Sequence, residues 1–433
     1  GEFTGDEKLT VTYEGNTVAE MDMHFLHEGL PRFIEEARWE PPRHPDPLLD
    51  ESWSDSSDET RGACRRVRRQ EPNPGDCLKR ILAAPNVRSK EWIIRQYDHE
   101  VQGASVLKPL VGAENDGPGD ATVFAPVLGS DRGLAVACGM NPKYGDIDTY
   151  HSAAAAIDEA LRNITAVGGS IEKTSILDNF CWGNTRRPEQ LGTLVRAALA
   201  CYDYATAFGV PFTSGKDSLH NEFDTGEETI SIPPTLLISA LCVVDDVTGS
   251  VSMDLKKPGN ALYQVGPTRA ELGGSHYLDL FGLTGRTVPR VQADLARETM
   301  LTVSEAARRG LVRSCHDMSE GGLGVAAAEM AFSGEIGLDI ELKHVPYRDN
   351  PDWRRDDVLL FGESQSRFLV EVAAEDTAEF EDLFGQIPCA RIGTLQDEAR
   401  LRVRGLKDEV MLEEPLAELK ARWQTPFAGT HSG

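Results

Sequence analysis

The sequence predicts an α/β fold, with α+β layering as its near variant, set out in two domains. Three observations carry this. Apolar runs of strand length alternate with amphipathic stretches of helix length. A chain of 433 residues is long enough for two or three domains with cores of their own. A hydrophobic content of 40% is ordinary for a globular chain.

The elements follow in order. The chain opens "GEFTGDEKL", without methionine, and residues 7–22 read as a hairpin turning at Gly15-Asn16. Residues 1–43 are expected to be the tail of a preceding domain whose body lies elsewhere. Residues 44–76 are rich in Pro, Ser and charge, and read as a linker or disordered segment. The first domain spans 77–250. It starts with a helix at "CLKRILAAP" and a strand at "RGLAVACGM". An alanine-rich helix over 149–169 follows, with Asp148 as its N-cap and two glycines at its end. "IEKTSILDNF" is a strand. Leu191, Leu194, Val195, Ala198, Leu199 and Tyr202 then mark a helix that Gly209 closes. "VPFTS" reads as a short buried strand and "TLLISALCVVDD" as a long buried one.

The second domain spans 251–427, before a tail at 428–433. "ALYQVG" is a strand, and a helix over 293–309 stops at Gly310. "VRSCHDMS" is a strand with polar residues at its end, turning through "EGGLG" into a second alanine-rich helix. "LDIEL", "RFLVEVA", "CARIGTL" and "LRVRG" supply further strands.

Bulk charge excludes some functions. A formal net charge of −26 argues against nucleic acid, because phosphate contacts need clustered Lys and Arg. A nucleotide is not excluded, since backbone amides and a metal can hold one. The eight cysteines include no C-x-x-C pair, so neither a zinc site nor a disulfide framework is signalled. Reduced thiols in the cytoplasm are expected. No apolar run has the length of a membrane span, and no signal peptide is visible.

Several polar groups can carry chemistry. "VPFTSGKDSLHNEF" holds Gly215-Lys216 with Asp217 and Ser218 after it. It is not a Walker A loop, which needs a glycine where Val210 stands and Ser or Thr directly after the lysine. Gly215 at a strand end lets a phosphate or metal approach the backbone; a tight turn is the plain alternative. Glu159 and Asn163 lie at i and i+4 on one helix face, where oxygen ligands suit Mg²⁺ or a surface polar pair. Asp317 sits at a strand end before a glycine pair and a helix, a place that presents amides to an anion. Ser319 can meet a phosphate or cap the helix. Asp178 in "LDNFCWGN" can accept from a nucleotide or close an Asx-turn. Asp98 follows an amphipathic helix and reads either as a ligand or as surface. "FGESQSRF" places Glu363, Ser364 and Gln365 between strands, where a buried Glu–Arg pair is the alternative.

Six segments, "SKEWIIRQYD", "AIDEALRNITAVGG", "ILDNFCWGN", "SGKDSLHNE", "CHDMSEGGLGVAAAEMAF" and "FGESQSRF", carry a resemblance. In order and over about 77–420, they resemble the C-terminal half of phosphoribosylformylglycinamidine synthase. The wider superfamily includes aminoimidazole ribotide synthetase, selenophosphate synthetase and thiamine-phosphate kinase. "SKEW…YD" and "GKDS" favour the purine enzyme.

The resemblance implies the second half of a pseudo-dimer: a barrel-forming α/β domain, then an outer α/β domain. It implies an ATP-dependent C–N ligase converting formylglycinamide ribotide and ammonia to formylglycinamidine ribotide, or a scaffold half that docks the catalytic one. The catalytic histidine base, and so the catalytic residues, would lie in the missing N-terminal half. Ammonia would come from a glutaminase subunit, with a small bridging subunit as a further partner. Mg²⁺, ATP and a structural ADP are the implied ligands. By motif, Asp178, Gly215 and Lys216 resemble ATP contacts and Ser218 a substrate contact. Asp98, Glu159, Asn163 and Asp317 resemble metal ligands of an auxiliary nucleotide site, and Ser319 a nucleotide contact there. Lys216 departs from the short forms of the enzyme, which place a magnesium-ligating Asn at that point. Its ammonium is expected on a phosphate, or on Asp178 when the site is empty.

Overall fold

The computed structural model describes residues 1–48, 57–70 and 72–425. Two units separate, Gly1–Ala37 and Arg38–Gly433. In the first, Lys8–Tyr13 pairs antiparallel with Asn16–Asp22, as the hairpin pattern predicts. Gly15 turns it at φ +82°, where a side chain would be strained. A short helix, Met23–Glu28, follows, capped by the Asp22 carboxylate.

The second unit is mixed α/β, built on two sheets. The first has six strands in the order 105–107, 122–124, 133–139, 235–244, 174–181 and 212–218. The second has seven, in the order 314–317, 368–372, 261–265, 389–396, 337–341, 400–404 and 410–415. Helix Thr149–Ala166 packs on strands Gly133–Gly139 and Thr235–Val244, beside helix Pro188–Phe208. It also meets helix Ala293–Arg308 and strand Ser314–Asp317 of the second sheet. Helix Gly322–Gly334 covers the opposite side with Pro74–Leu82 and Leu416–Trp423. The layers are therefore sheet, helices, sheet, helices, with one apolar cluster on each side of the second sheet.

Strand burial follows from this stacking. Ala261–Val265 and Phe368–Val372 are buried throughout, because helices cover both faces of their sheet. Thr235–Val244 is not the fully buried strand its apolar run suggests. Its residues alternate, and Leu241 and Val243 are each 38% exposed. Helices cover only one face of the first sheet. The other face carries Leu134, Val136, Leu177, Leu237, Leu241 and Val243.

Two other expectations change. Residues 49–56 and 71 of the linker and the 428–433 tail lie outside the described residues. Within the linker, Asp58–Arg68 is a helix capped by Ser57, so disorder does not hold there. Ala63 and Val67, one turn apart, join the apolar cluster that contains Leu78 and Ile81. Two small apolar residues among so many charges left little periodicity to read. The amphipathic helix expected before Asp98 is a single turn, Glu91–Ile94. Among the described residues no helix is long and apolar enough to cross a membrane, and no disulfide forms between cysteines.

Candidate functional site

The sequence-marked residues fall into two places, the edge of the first sheet and a buried junction between the sheets. At the edge, strand Phe212–Ser218 runs parallel to Thr174–Cys181 and sets Gly215 beside Asp178. It is an exposed strand rather than a buried one, because it ends the strand order, and among the described residues no further strand lies beyond it. Gly215 has a local reason. A Cβ there would lie 2.5 and 2.6 Å from the two Asp178 carboxylate oxygens. Burial and the charge of Asp217 push the Asp178 carboxyl above the usual range. The Lys216 ammonium donates to the Ser218 hydroxyl, not to Asp178. Asp178, Gly215, Lys216 and Ser218 thus lie together on the two edge strands, Asp178 and Gly215 on one face of the sheet and Lys216 and Ser218 on the other.

The junction is built on helix Thr149–Ala166, which starts at Asp148. The Asp148 carboxylate accepts from Tyr150 N at 2.9 Å and holds Arg196 Nη2 at 2.6 and 2.7 Å. The helix is buried on nearly all sides. Charges within such a helix must be paired. Arg162, 1% exposed, is the centre of that pairing. Its Nη1 donates to Asp158, one turn back, and to Gln365 Oε1 at 2.9 Å. Its Nη2 donates to Ser319 Oγ at 2.8 Å and to Asp317 Oδ2 at 3.2 Å. Ser319 donates in turn to Asp317, and Asp158 also takes the Ser366 N–H and hydroxyl at 2.9 and 2.6 Å.

Carboxylates surround this guanidinium. Glu159 Oε2 accepts from Met140 N at 2.8 Å. Burial, then the charges of Glu320 and Asp317, push the Glu159 carboxyl well above the usual range. Burial pushes Glu320 up to about 7. Glu363 takes Tyr144 Oη at 2.8 Å and the backbone N–H groups of His276 and Gly321, each at 2.9 Å. The Glu–Arg alternative does not form. Arg367 instead spends its donors on the Ser364 and Gly362 carbonyls and the Thr268 hydroxyl.

His316 lies behind Asp317, with Nδ1 2.7 Å from Asp120 Oδ1 and Nε2 3.0 Å from Glu329 Oε2. Against burial, which lowers it, the Asp120 and Glu329 carboxylates push the His316 pKa well above the histidine range. Asp120 Oδ1 also takes the Asp317 N–H at 3.0 Å. Among the described residues, Asp120, His316 and Asp317 form one group whose candidate ligand atoms lie within 4.8 Å of one another.

The expected ligand set does not assemble. Asp98 is exposed and accepts only its own loop's Glu100 N–H, at 2.9 Å. No hydrogen bond or ion pair among the described residues ties it to Glu159, Asn163 or Asp317. Asn163 turns its amide donor to the Cys138 carbonyl at 2.9 Å. Glu159, Asp317 and Ser319 do come together, but around Arg162. Sequence reading missed Asp158, Arg162, Asp120, Glu320 and Glu329. One signal was available: Asp158 and Arg162 lie at i and i+4 on a helix made of small and apolar residues.

Comparisons with known proteins agree with this architecture. Residues 89–243 match the family "FGAR-AT PurM_N-like domain", and 257–405 match "AIR synthase related protein, C-terminal domain". The phosphoribosylformylglycinamidine synthase subunit PurL of Deinococcus radiodurans is 33% identical over 441 residues, covering 99% of this chain and 54% of that protein. The chain matches the PurL family over most of its length. PurL of Methanothrix thermoacetophila is 36% identical over 309 residues, 69% of this chain and 38% of the relative. The chain spans about half the length of the curated PurL relatives it matches. Among solved structures, Thermotoga maritima PurL complexed with FGAR superposes with a TM-score of 0.60. Identity is 20%, over 81% of this chain and 54% of that one. The ADP complex of the same PurL gives 0.56 at 20% identity, over 78% and 51%. These likenesses show a shared fold.

Proposed function

We propose that this chain is the C-terminal half of an ATP-dependent C–N ligase of the PurL kind, acting on formylglycinamide ribotide. The reading is carried by Lys216 and Ser218, hydrogen-bonded to each other on the open edge strand of the first sheet, with Asp178 against Gly215 on the other face of that edge. It is supported by the uncovered apolar face of that sheet, which suits a second half-sheet closing a shared barrel. The partner half would bring the histidine base, most of the magnesium carboxylates and the ATP lysine. A glutaminase subunit would bring ammonia.

In this reading the reaction has two steps. ATP phosphorylates the formylglycinamide oxygen, ammonia then attacks the activated carbon, and phosphate leaves. The chain's own residues supply position and charge. Lys216 stands as a fixed cation beside the phosphates, where a short-form enzyme has a metal-bound Asn. Gly215 keeps the backbone low beneath them, with the Asp178 carboxylate set close against it. Ser218, now held by the Lys216 ammonium, turns to the substrate when phosphate takes that ammonium. Mg²⁺ would accompany the ATP.

The test is reconstitution. The chain mixed with an N-terminal PurL half, glutaminase and Mg-ATP is expected to form the amidine. The chain alone is not, for want of a general base worth about 10²–10⁴-fold. Turnover by the chain alone, or none after assembly, overturns the reading.

A further inference from the structure

A metal-bound nucleotide at the junction would need room for its phosphates, and Asp317 and Ser319 free to meet it. The structure offers neither. Asp317 and Ser319 are both committed to Arg162 Nη2, and Asp158 and Gln365 to Nη1. Of the guanidinium nitrogens only Nε is buried without a partner. The space left between Tyr144, Glu159, Arg162, Ser319, Glu320 and Gln365 is about 10 Å³. That is the scale of a single water, against several hundred Å³ for an ordinary ligand pocket. Asp98 is turned to its own loop.

We propose that Arg162 is the permanent counter-cation of this junction. Its guanidinium occupies the position between the helix and the Asp317–Ser319 strand end that a metal-bound nucleotide would require. The half is therefore closed to nucleotide there and needs no Mg²⁺ to hold its two sheets together. Arg162 does with one side chain what a bound cation would do: it pairs with both Asp158 and Asp317 and ties three segments. These are helix Thr149–Ala166, the end of strand Ser314–Asp317 and the Ser364–Ser366 turn. A planar guanidinium suits this role, since two terminal nitrogens can each serve two acceptors. The proposal uses the PurL reading only to say which ligand is displaced, and it concerns a different place from the sheet-edge patch.

The experiment uses the full chain and two probes, Mg²⁺ alone and Mg-ADP, read by thermal melting and titration calorimetry. Wild type and Ser319→Ala are expected to respond identically to Mg-ADP, because any binding lies outside the junction. Arg162→Met strips the guanidinium from the buried Asp158 and Asp317, so its Tm falls by several degrees. Excess Mg²⁺ is expected to restore part of that loss, while leaving wild type unmoved. A wild-type Tm that rises with Mg-ADP and no longer rises in Ser319→Ala overturns the proposal. So does a folded Arg162→Met with unchanged Tm. If Arg162→Met does not fold, the comparison of wild type with Ser319→Ala decides. Failure of amidine formation on reconstitution would count against the proposed ligase role and leave this result untouched.

Discussion

Glu271 shows how one buried atom makes stability depend on pH. The residue is 6% exposed, and its Oε2 is buried without a partner. Burial raises the carboxyl from 4.5 to about 7, against smaller lowering by the Arg290 N–H and the charge of Arg269. A raised folded pKa means that the proton stabilises the fold. That contribution is complete below about 4.5 and is lost as pH rises through about 7. Glu271→Gln is expected to flatten this window and to be more stable than wild type at pH 8, by on the order of 3 kcal/mol. Urea titrations from pH 4.5 to 8 check it; a variant that follows wild type across that window refutes it. Gly215 is tested differently. Gly215→Ala puts a Cβ against the Asp178 carboxylate on an exposed strand. The expected result is a small change in Tm but a tenfold to hundredfold loss (on the order of) in ATP use by the assembled enzyme. In the same assay Lys216→Ala should weaken ATP use. Lys216→Asn should recover part of it with a raised Mg²⁺ requirement. Unaltered kinetics in both lysine variants would assign the patch to its backbone alone.

Helix Thr149–Ala166 is the element on which both sheets depend. Its N-terminus is set by Asp148, which caps Tyr150 N and holds Arg196 through both carboxylate oxygens. Arg196 also lies 3.7 Å from the Trp39 ring centre, so the cap reaches into the Arg38–Pro42 segment. That segment runs close: Arg38 N donates to Pro188 O at 2.9 Å, and a Cβ on Gly192 would lie 1.8 Å from Arg38 O. Asp148→Ala removes cap and ion pair together. A loss of about 1–3 kcal/mol is expected, the cap itself accounting for about 1. Asp148→Asn keeps the cap and should lose less. Denaturant midpoints for the two variants decide, provided that the slopes agree. Equal losses would mean that the ion pair, rather than the cap, sets this helix end.

At the scale of the molecule, the contrast between the two sheets is the main fact. The second has helices on both faces and is saturated. The first has one uncovered face, where Val136 is 40% exposed beside Leu241 and Val243. In the proposed assembly that face meets the other half. Val136→Glu with Leu241→Glu is expected to leave the Tm within about 2–4 °C of wild type, since both positions are already partly in water. The same variant should abolish complex formation with an N-terminal half in size-exclusion chromatography. An unimpaired complex would move the interface elsewhere.

How much of this was legible depends on how far apart the interacting residues lie. Strands such as Ala261–Val265 and helices such as Thr149–Ala166 follow from local periodicity, and Asp148 from the preference for an oxygen one residue before a helix. The motif order along the chain identified the family, because long polar segments around glycine turns depend little on distant context. Other features needed neighbours far along the chain. Strand Phe212–Ser218 is exposed only because it ends the sheet order, and sheet order is not written in any one segment. Thr235–Val244 has a continuous apolar run, yet one face is open because helices cover only the other. The sequence by itself determined the alternation of elements, the turns and the residues available for chemistry. Tertiary structure alone decided that Arg162 would meet Asp317 and Ser319 across 155 and 157 residues. A buried charge takes whichever partners the packing brings within 3 Å or so, and no local pattern encodes that meeting.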